Sequence, residues 1–187
     1  MKQSGWIKIL SVAVLIIAVA CGQGPNKPGD AQNEIPADWK ILEQSTYAIR
    51  YPDSFTLAPP GTMGASFILL TEQTSADDKF RENINLMIED LKGKSISLDR
   101  YAKVAEAQIK THIADGDIIE SKRVKRGNSE FHTIIYTATW PHVRIKQEQR
   151  YMMKKDKVYV LTFSAELEQF ENYKDVGRKI MDSFQVK

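Results

Sequence analysis

The chain has 187 residues, enough for one domain with one hydrophobic core, and it carries 26 basic and 24 acidic residues. The excess of basic residues is Lys2 and Lys8, so the chain beyond residue 20 is formally neutral. A neutral chain has no general attraction to nucleic acid or to an anionic membrane surface, and we therefore expect no nucleic-acid partner.

The first twenty residues have the three-part pattern of a secretory signal. Lys2 and Lys8 precede an apolar run from Ile9 to Ala20, and this run ends in small residues. As a helix this run of twelve residues would span about 18 Å, whereas the hydrocarbon core of a bilayer is about 30 Å thick. The pattern therefore predicts a cleaved signal at residues 1–20 and an exported protein, and it argues against a permanent transmembrane anchor.

Two routes of signal processing fit the end of this run. Ala18-Val19-Ala20 satisfies ordinary signal peptidase, which would release a soluble secreted protein. Followed by Cys21, the same stretch resembles a bacterial lipobox, although that motif most often has Leu where Ala18 stands. Because Cys21 is the only cysteine, and a free thiol at an exported N-terminus is open to oxidation, we favour cleavage between Ala20 and Cys21 and lipidation of Cys21.

Lipidation would set the location of the protein. Two or three acyl chains, such as palmitate, hold a protein on a membrane stably, whereas one chain does not. Gly22 follows Cys21, where an Asp would favour retention at the inner membrane of a Gram-negative cell. We therefore expect a membrane-anchored lipoprotein, at the outer membrane and facing the periplasm if the cell is Gram-negative.

The segment after the cysteine has the composition of a tether. Residues 22–36 contain three glycines and three prolines and have too few apolar residues to form a core. We assign residues 21–36 to a lipidated N-terminus with a flexible tether, and residues 37–187 to one folded domain.

The hydrophobic pattern of the domain predicts strands, a helix, further strands and a closing helix. Ser97 is the predicted N-cap of the first helix, which we expect to end at Gly116, and the closing helix is predicted over Leu167–Phe184. The order contains no alternation of strand and helix, so it predicts an α+β fold in which an antiparallel sheet is sandwiched by helices. The strands are predicted at Trp39–Leu42, Ser45–Tyr51, Ala65–Thr71, Asn83–Asp90, Asp117–Lys125, Phe131–Trp140, Val143–Lys154 and Val158–Ala165.

Three stretches resemble the PsbP-like family, which includes the photosystem II extrinsic subunit and bacterial lipoproteins of the DcrB type. They are residues 47–55 (YAIRYPDSF), residues 160–165 (VLTFSA) and the closing helix from Phe170 through Ile180 to Ser183-Phe184. The resemblance covers about residues 39–186. It implies an α/β/α sandwich and a non-catalytic module for binding or assembly. The histidine and acidic cluster that would support a manganese cluster has no match in this sequence, so the resemblance does not transfer that role.

Motifs for catalysis or cofactor binding are missing from the sequence. His112, His132 and His142 have no second His or Cys at the spacing of metal ligands. There is no G-x-S-x-G nucleophile elbow and no glycine-rich phosphate loop. We therefore predict no metal, no cofactor and no enzymatic activity.

Basic residues cluster on two of the predicted strands. If these strands were neighbours, the residues would form a net-positive face for an acidic partner or an anionic glycan, whereas an ordinary solvated sheet face is the simpler interpretation. The residues are Lys122, Arg123, Lys125, Arg126, Arg144, Lys146 and Arg150.

Two hypotheses of function remain. The first is a lipid-anchored envelope protein that binds a protein partner or assists the assembly of a complex. The second is a small-molecule carrier or hydrolase with its site between sheet and helices, in a cleft lined by Trp39, Tyr136, Trp140 and Tyr151.

Overall fold

The structure, a computed structural model, describes residues 35–76, 78–126, 129–141 and 143–187, and residues 35–187 form one compact unit. The predicted signal, Cys21 and the tether up to residue 34 lie outside the described residues, and so do Asp77, Gly127, Asn128 and His142. In the part that is described, neither helix is long and apolar enough to cross a bilayer.

The described chain contains ten strands, two α-helices and a short 3₁₀ turn at Thr62–Gly64. In chain order the elements are β1 (Lys40–Glu43), β2 (Tyr47–Tyr51), β3 (Phe55–Leu57), β4 (Phe67–Thr71), β5 (Asn83–Asp90), α1 (Leu98–His112), β6 (Asp117–Arg126), β7 (Ser129–Trp140), β8 (Val143–Lys154), β9 (Lys157–Glu166), α2 (Phe170–Asp182) and β10 (Gln185–Val186).

The strands form two antiparallel sheets. The larger sheet has the order β3-β4-β5-β9-β8-β7-β6, and the smaller one has the order β1-β2-β10. Strands β6 to β9 pair with their neighbours in sequence, as expected when short turns connect them. Lys155, at the turn between β8 and β9, has a positive φ of 54°. The α+β class and the antiparallel pairing predicted from sequence are therefore confirmed.

Each face of the larger sheet carries its own apolar core and one helix. On the first face, which we call the α2 face, Leu161 and Phe163 of β9 pack with Phe170 and Ile180 of α2 and with the smaller sheet. On the opposite face, the α1 face, Ala105 and Ile109 of α1 pack with residues of β7 such as Ile134. Alternation along the strands separates the two sets, because successive side chains of a strand point to opposite faces.

The helix boundaries follow local signals. Ser97 caps α1, since its Oγ accepts a hydrogen bond of 3.2 Å from the backbone N–H of Arg100. This confirms the predicted N-cap, whereas α1 ends at His112, four residues before Gly116. Helix α2 is shorter than predicted at both ends. It begins at Phe170, because residues 167–169 form a turn, and it ends at Asp182.

The sequence pattern did not predict the smaller sheet or the two shortest strands, β3 and β10. Strands β1 and β2 were expected in the main sheet, and they lie instead in the smaller one, paired with β10. Strands β3 and β10 have three and two residues, too few for a period-two pattern to be visible. The tertiary fold, and not a pattern in their own sequence, brings these two strands next to their partners.

Candidate functional site

Helix α1 leaves part of its face of the sheet open. It packs mainly on β6, β7 and β8, and it covers less of β4, β5 and β9 on this side. A groove of about 670 Å³ occupies the open part. Its walls come from β4, the 3₁₀ turn, the end of α1 and the end of β7, and they are mostly apolar: Met63, Ala65, Ile68, Leu70, Phe80, Ile113, Ala114 and Trp140.

The floor of the groove is a row of polar side chains that crosses four strands. Tyr136 of β7 lies opposite Gln147 of β8, Gln147 lies opposite Ser164 of β9, and Ser164 lies opposite Asn83 of β5. The Tyr136 hydroxyl donates to Gln147 Oε1 at 2.5 Å, and Gln147 Nε2 donates to Ser164 Oγ at 2.7 Å. Burial raises the pKa of Tyr136 to about 12, so its hydroxyl stays protonated as the donor of this chain.

Asn85 extends the floor along β5. Its Nδ2 donates to Asn83 Oδ1 at 3.2 Å, and Asn83 Nδ2 donates to the backbone carbonyl of Arg81 at 3.0 Å. Each amide has two N–H donors and an acceptor oxygen, and these bonds use one N–H of each. The groove therefore presents hydrogen-bonding groups that carry no formal charge.

The rim of the groove is apolar and exposed. Met63 is 77% exposed, Trp140 is 56% exposed and Met87 is 44% exposed, although all three are large hydrophobic residues. Exposed apolar side chains grouped around a groove are typical of a surface that a partner or ligand covers.

The four aromatic residues proposed for a cleft lie in three places. Tyr136 and Trp140 line the groove. Tyr151 is buried beneath α1, where its ring packs against Tyr101 with the ring centroids 5.7 Å apart and the planes inclined at 54°. Trp39 packs against the core on the opposite face of the sheet. Sequence reasoning therefore found two residues of the groove, and it missed the polar row, for which the one signal was the polar second face of β5.

The seven basic residues do not share one exposed surface. Strand β7 lies between β6 and β8, and Arg150 of β8 is 5% exposed. Arg144 is exposed, and the other six each pair with a carboxylate at 2.5–3.5 Å: Lys122 with Glu120, Arg123 with Asp99 and Glu130, Lys125 with Glu130, Arg126 with Asp182, Lys146 with Glu171, and Arg150 with Glu148 and Asp182. These pairs leave little net positive charge at this part of the sheet.

Arg150 belongs to a charge network that joins α2 to the sheet. Its Nη1 lies 2.6 Å from Asp182 Oδ1, and its Nη2 lies 3.1 Å from Glu148 Oε1. Arg178 of α2 contacts the second oxygen of Glu148 at 2.7 Å. Since Glu148 and Arg150 are both buried, each charge needs these partners to offset its loss of hydration. The network is therefore structural.

A serine, a histidine and a glutamate meet at one edge of α1, and their order is not that of a nucleophile relay. Ser121 Oγ lies 2.8 Å from His132 Nε2 and also donates to Glu106 Oε1. In a relay the acid orients the histidine, whereas His132 Nδ1 is buried here without a hydrogen-bond partner in the described structure. Within the described residues, no group of three or more His, Cys, Asp and Glu side chains is arranged to hold a metal ion.

Comparison by sequence identifies no match: no family model matches the chain, and no curated protein matches it. Comparison by structure finds several similar proteins. CyanoP, the cyanobacterial PsbP of Synechocystis sp. PCC 6803, has a TM-score of 0.54 and 12% identity over 88% of this chain and 99% of its own. LpqN of Mycobacterium tuberculosis, described as involved in cell envelope biogenesis, has a TM-score of 0.59 and 14% identity over the same shares.

A third similar protein is PA94 of Pseudomonas aeruginosa, a protein of unknown function. It has a TM-score of 0.55 and 8% identity, and the match covers 78% of this chain and 94% of PA94. The element order, the antiparallel sheets and these likenesses show that the chain has a PsbP-like α+β fold. The resemblance stated from residues 47–55, 160–165 and the closing helix is thereby confirmed at the level of the fold.

Proposed function

We propose that this chain is an exported bacterial envelope protein, anchored by lipid at Cys21, whose PsbP-like domain binds a protein partner and is not an enzyme. The observation that carries the proposal is the groove on the α1 face, with its uncharged polar floor and its exposed apolar rim at Met63, Met87 and Trp140. The envelope association of LpqN, which has the same fold, supports the proposed location.

The chemistry of the groove supports binding over catalysis. The polar groups of its floor are amides and hydroxyls, which are poor nucleophiles and poor acids or bases at neutral pH, and the one histidine of the described lining, His112, lies at the end of α1 and not on the floor. Ser164 is the hydroxyl at the centre of the floor, and its partner is the Gln147 amide instead of an imidazole. We therefore propose that the groove holds a partner segment without changing it chemically.

The experiment places a photo-cross-linking residue in the groove of the full chain in its own cell envelope. Trp140, 56% exposed, is replaced by benzoylphenylalanine, and the matched control is Ile41, 53% exposed on β1 behind the opposite face of the sheet. We expect one protein to cross-link from position 140 and not from position 41. Equal cross-linking from both positions, or none from position 140, would contradict the partner site.

The anchor is tested separately, because it depends on one residue. Cys21→Ser should move the protein from the membrane to the soluble fraction and abolish labelling by a fatty acid precursor. If the variant remains membrane-bound and the unchanged protein carries no lipid mass, the anchor proposal is wrong.

The apolar walls also support a second candidate, a small-molecule carrier. A volume of about 670 Å³ lies within the usual range of small-ligand pockets. Native mass spectrometry of the protein isolated from its envelope separates the candidates. A small molecule that remains bound, and is lost when Trp140 is replaced by Ala, favours the carrier.

A further inference from the structure

The lining of the groove restricts the charge of its occupant. Its described lining contains no Asp, Glu, Lys or Arg, and His112 at the end of α1 is the one histidine there. A charged group covered by this lining would lose its hydration without gaining an ion pair, which is costly. The groove therefore favours an uncharged occupant.

The floor restricts the hydrogen-bonding chemistry of the occupant. The Asn85 and Gln147 amides line the floor, and each is a planar group with donors and an acceptor. Gln147 keeps one N–H and one lone pair of Oε1 after its bonds to Ser164 and Tyr136. Each residue of an extended chain presents its own N–H and C=O on the same side, so one residue can pair with such a side chain through both. Asn85 uses one N–H on Asn83, and its remaining N–H and its carbonyl oxygen can pair with the C=O and N–H of one extended residue.

The dimensions of the floor restrict the length of the occupant. The groove crosses five strands, β4, β5, β9, β8 and β7, which span about 19 Å at about 4.8 Å between neighbours. An extended chain advances about 3.3 Å per residue, so about six residues cross the groove. Met63, Met87 and Trp140 lie along the rim, where adaptable apolar side chains suit varied peptide side chains.

We infer that the groove binds one extended, uncharged segment of about six residues from the partner protein. Peptide groups of the segment pair with the Asn85 and Gln147 amides, and its apolar side chains contact Met63, Met87 and Trp140. This inference rests on the proposed function, because it specifies the part of a protein partner that enters the same groove.

The test uses the full chain with Cys21→Ser, so that no lipid is attached. The probes are hexapeptides blocked at both ends and composed of Ser, Thr, Val, Leu and Phe, with a matched set that carries Asp or Lys at the third position. Binding is followed by NMR on the side-chain amides of Asn85 and Gln147. We expect the uncharged peptides to shift these signals and the charged peptides to bind about tenfold more weakly.

A matched pair of variants assigns the site. Asn85→Ala removes the floor amide and should weaken uncharged peptides about fivefold to tenfold, whereas Asn172→Ala, an exposed amide on α2, should leave binding unchanged. Thermal unfolding of both variants checks that the fold is intact. Equal binding of charged peptides, binding that survives Asn85→Ala, or binding of palmitate but of no peptide would overturn the inference.

The two proposals fail differently. If no hexapeptide binds while position 140 still cross-links to one protein in the envelope, the uncharged segment is wrong and the partner site stands. If neither experiment gives binding, both proposals are wrong.

Discussion

Gln147 on β8 and Ser164 on β9 lie directly opposite each other, and Gln147 Nε2 donates a hydrogen bond of 2.7 Å to Ser164 Oγ. Tyr136 completes the chain by donating to Gln147 Oε1. Ser164 is 2% exposed, so this polar row belongs to the interior of the fold even though it forms the floor of a groove. An apolar helix packed over the row would bury the remaining hydrogen-bonding capacity of the amides, which is costly. This is consistent with α1 packing on the other half of this face.

The coupling between Gln147 and Ser164 is measurable. Ser164→Ala removes the acceptor and Gln147→Leu removes the donor, and each should lower the free energy of unfolding by about 1–3 kcal/mol because a partner is left unsatisfied. The double variant should cost less than the sum of the single variants by about 0.5–1.5 kcal/mol, since the same hydrogen bond is lost once. Urea unfolding of the four proteins measures this coupling, and strict additivity would contradict the bond.

The charge network at α2 predicts a large difference between two glutamates. Glu148→Ala leaves the buried Arg150 with Asp182 as its remaining carboxylate, and we expect a loss of about 3 kcal/mol in the free energy of unfolding. Glu120→Ala breaks the exposed pair with Lys122 and should change it by no more than about 0.5 kcal/mol. Similar urea midpoints for the two variants would show that the network contributes little.

The elements with a strong period were predictable from sequence, because the pattern itself decides the structure there. Ser97 and the apolar stripe of α1, and the β-branched run of β7, are examples. The burial of a basic residue was not predictable in this way. Arginine is usually exposed because of its charge. Arg150 is buried because two carboxylates pair with it, Glu148 from the same strand and Asp182 from α2.

The groove was unpredictable for a similar reason. Asn83, Gln147 and Ser164 are separated by up to 81 positions and belong to three strands, so no local pattern joins them. Their alignment depends on the strand order β5-β9-β8, in which β9 inserts between β5 and β8. That order is a property of the tertiary fold, and only the polar alternation along β5 was visible beforehand.

Gly177 of α2 should not tolerate a larger side chain. A Cβ at this position would lie 3.0 Å from the ring of Phe163, which is fully buried. Ala stabilises a helix interior by about 1 kcal/mol relative to Gly, whereas overpacking a core costs about 1–3 kcal/mol. We expect Gly177→Ala to lower the thermal midpoint, and a rise would show that Phe163 moves aside without cost.

His132 predicts a loss of stability in mild acid. Burial lowers the pKa of His132 below its ordinary value of 6.5, and this effect outweighs the nearby carboxylates Glu106 and Asp99, which raise it. The unfolded chain then binds the proton of His132 more readily than the folded chain does. The contribution of His132 to stability is therefore complete above about pH 6.5, and it is lost as the pH falls through the lowered pKa. We therefore expect the unchanged protein to lose unfolding free energy relative to His132→Gln as the pH falls through this range.

The control for His132 is His112→Gln, which replaces an exposed histidine at the end of α1. Its stability relative to the unchanged protein should vary less between pH 5 and 7.5 than that of His132→Gln. An NMR titration of the two rings gives the same answer independently, and a His132 ring that titrates above 6.5 would reverse the sign.

Glu82 predicts a dependence on pH of the opposite kind. Glu82 is 4% exposed, and burial raises the pKa of its carboxyl above the ordinary value of 4.5. The backbone N–H groups of Glu82 and Glu166 act against burial, whereas the charges of Glu166 and Asp78 act with it. Because the folded state holds the proton more tightly, this group contributes most below about pH 4.5, and that contribution is lost as the pH rises through the raised value. Glu82→Gln keeps the shape of the side chain and removes the ionisation.

We therefore expect Glu82→Gln to gain stability relative to the unchanged protein as the pH rises from 4 to 7, measured by urea unfolding at each pH. Glu72→Gln, at an exposed glutamate in the loop before β5, is the matched control and should give a smaller change over the same range. If the Glu82→Gln variant instead loses stability relative to the unchanged protein at pH 7, the ionised Glu82 carboxylate is held by favourable contacts. In that case its hydrogen bond with Thr71 Oγ1, at 3.4 Å, and the backbone donors around it would outweigh the cost of burial.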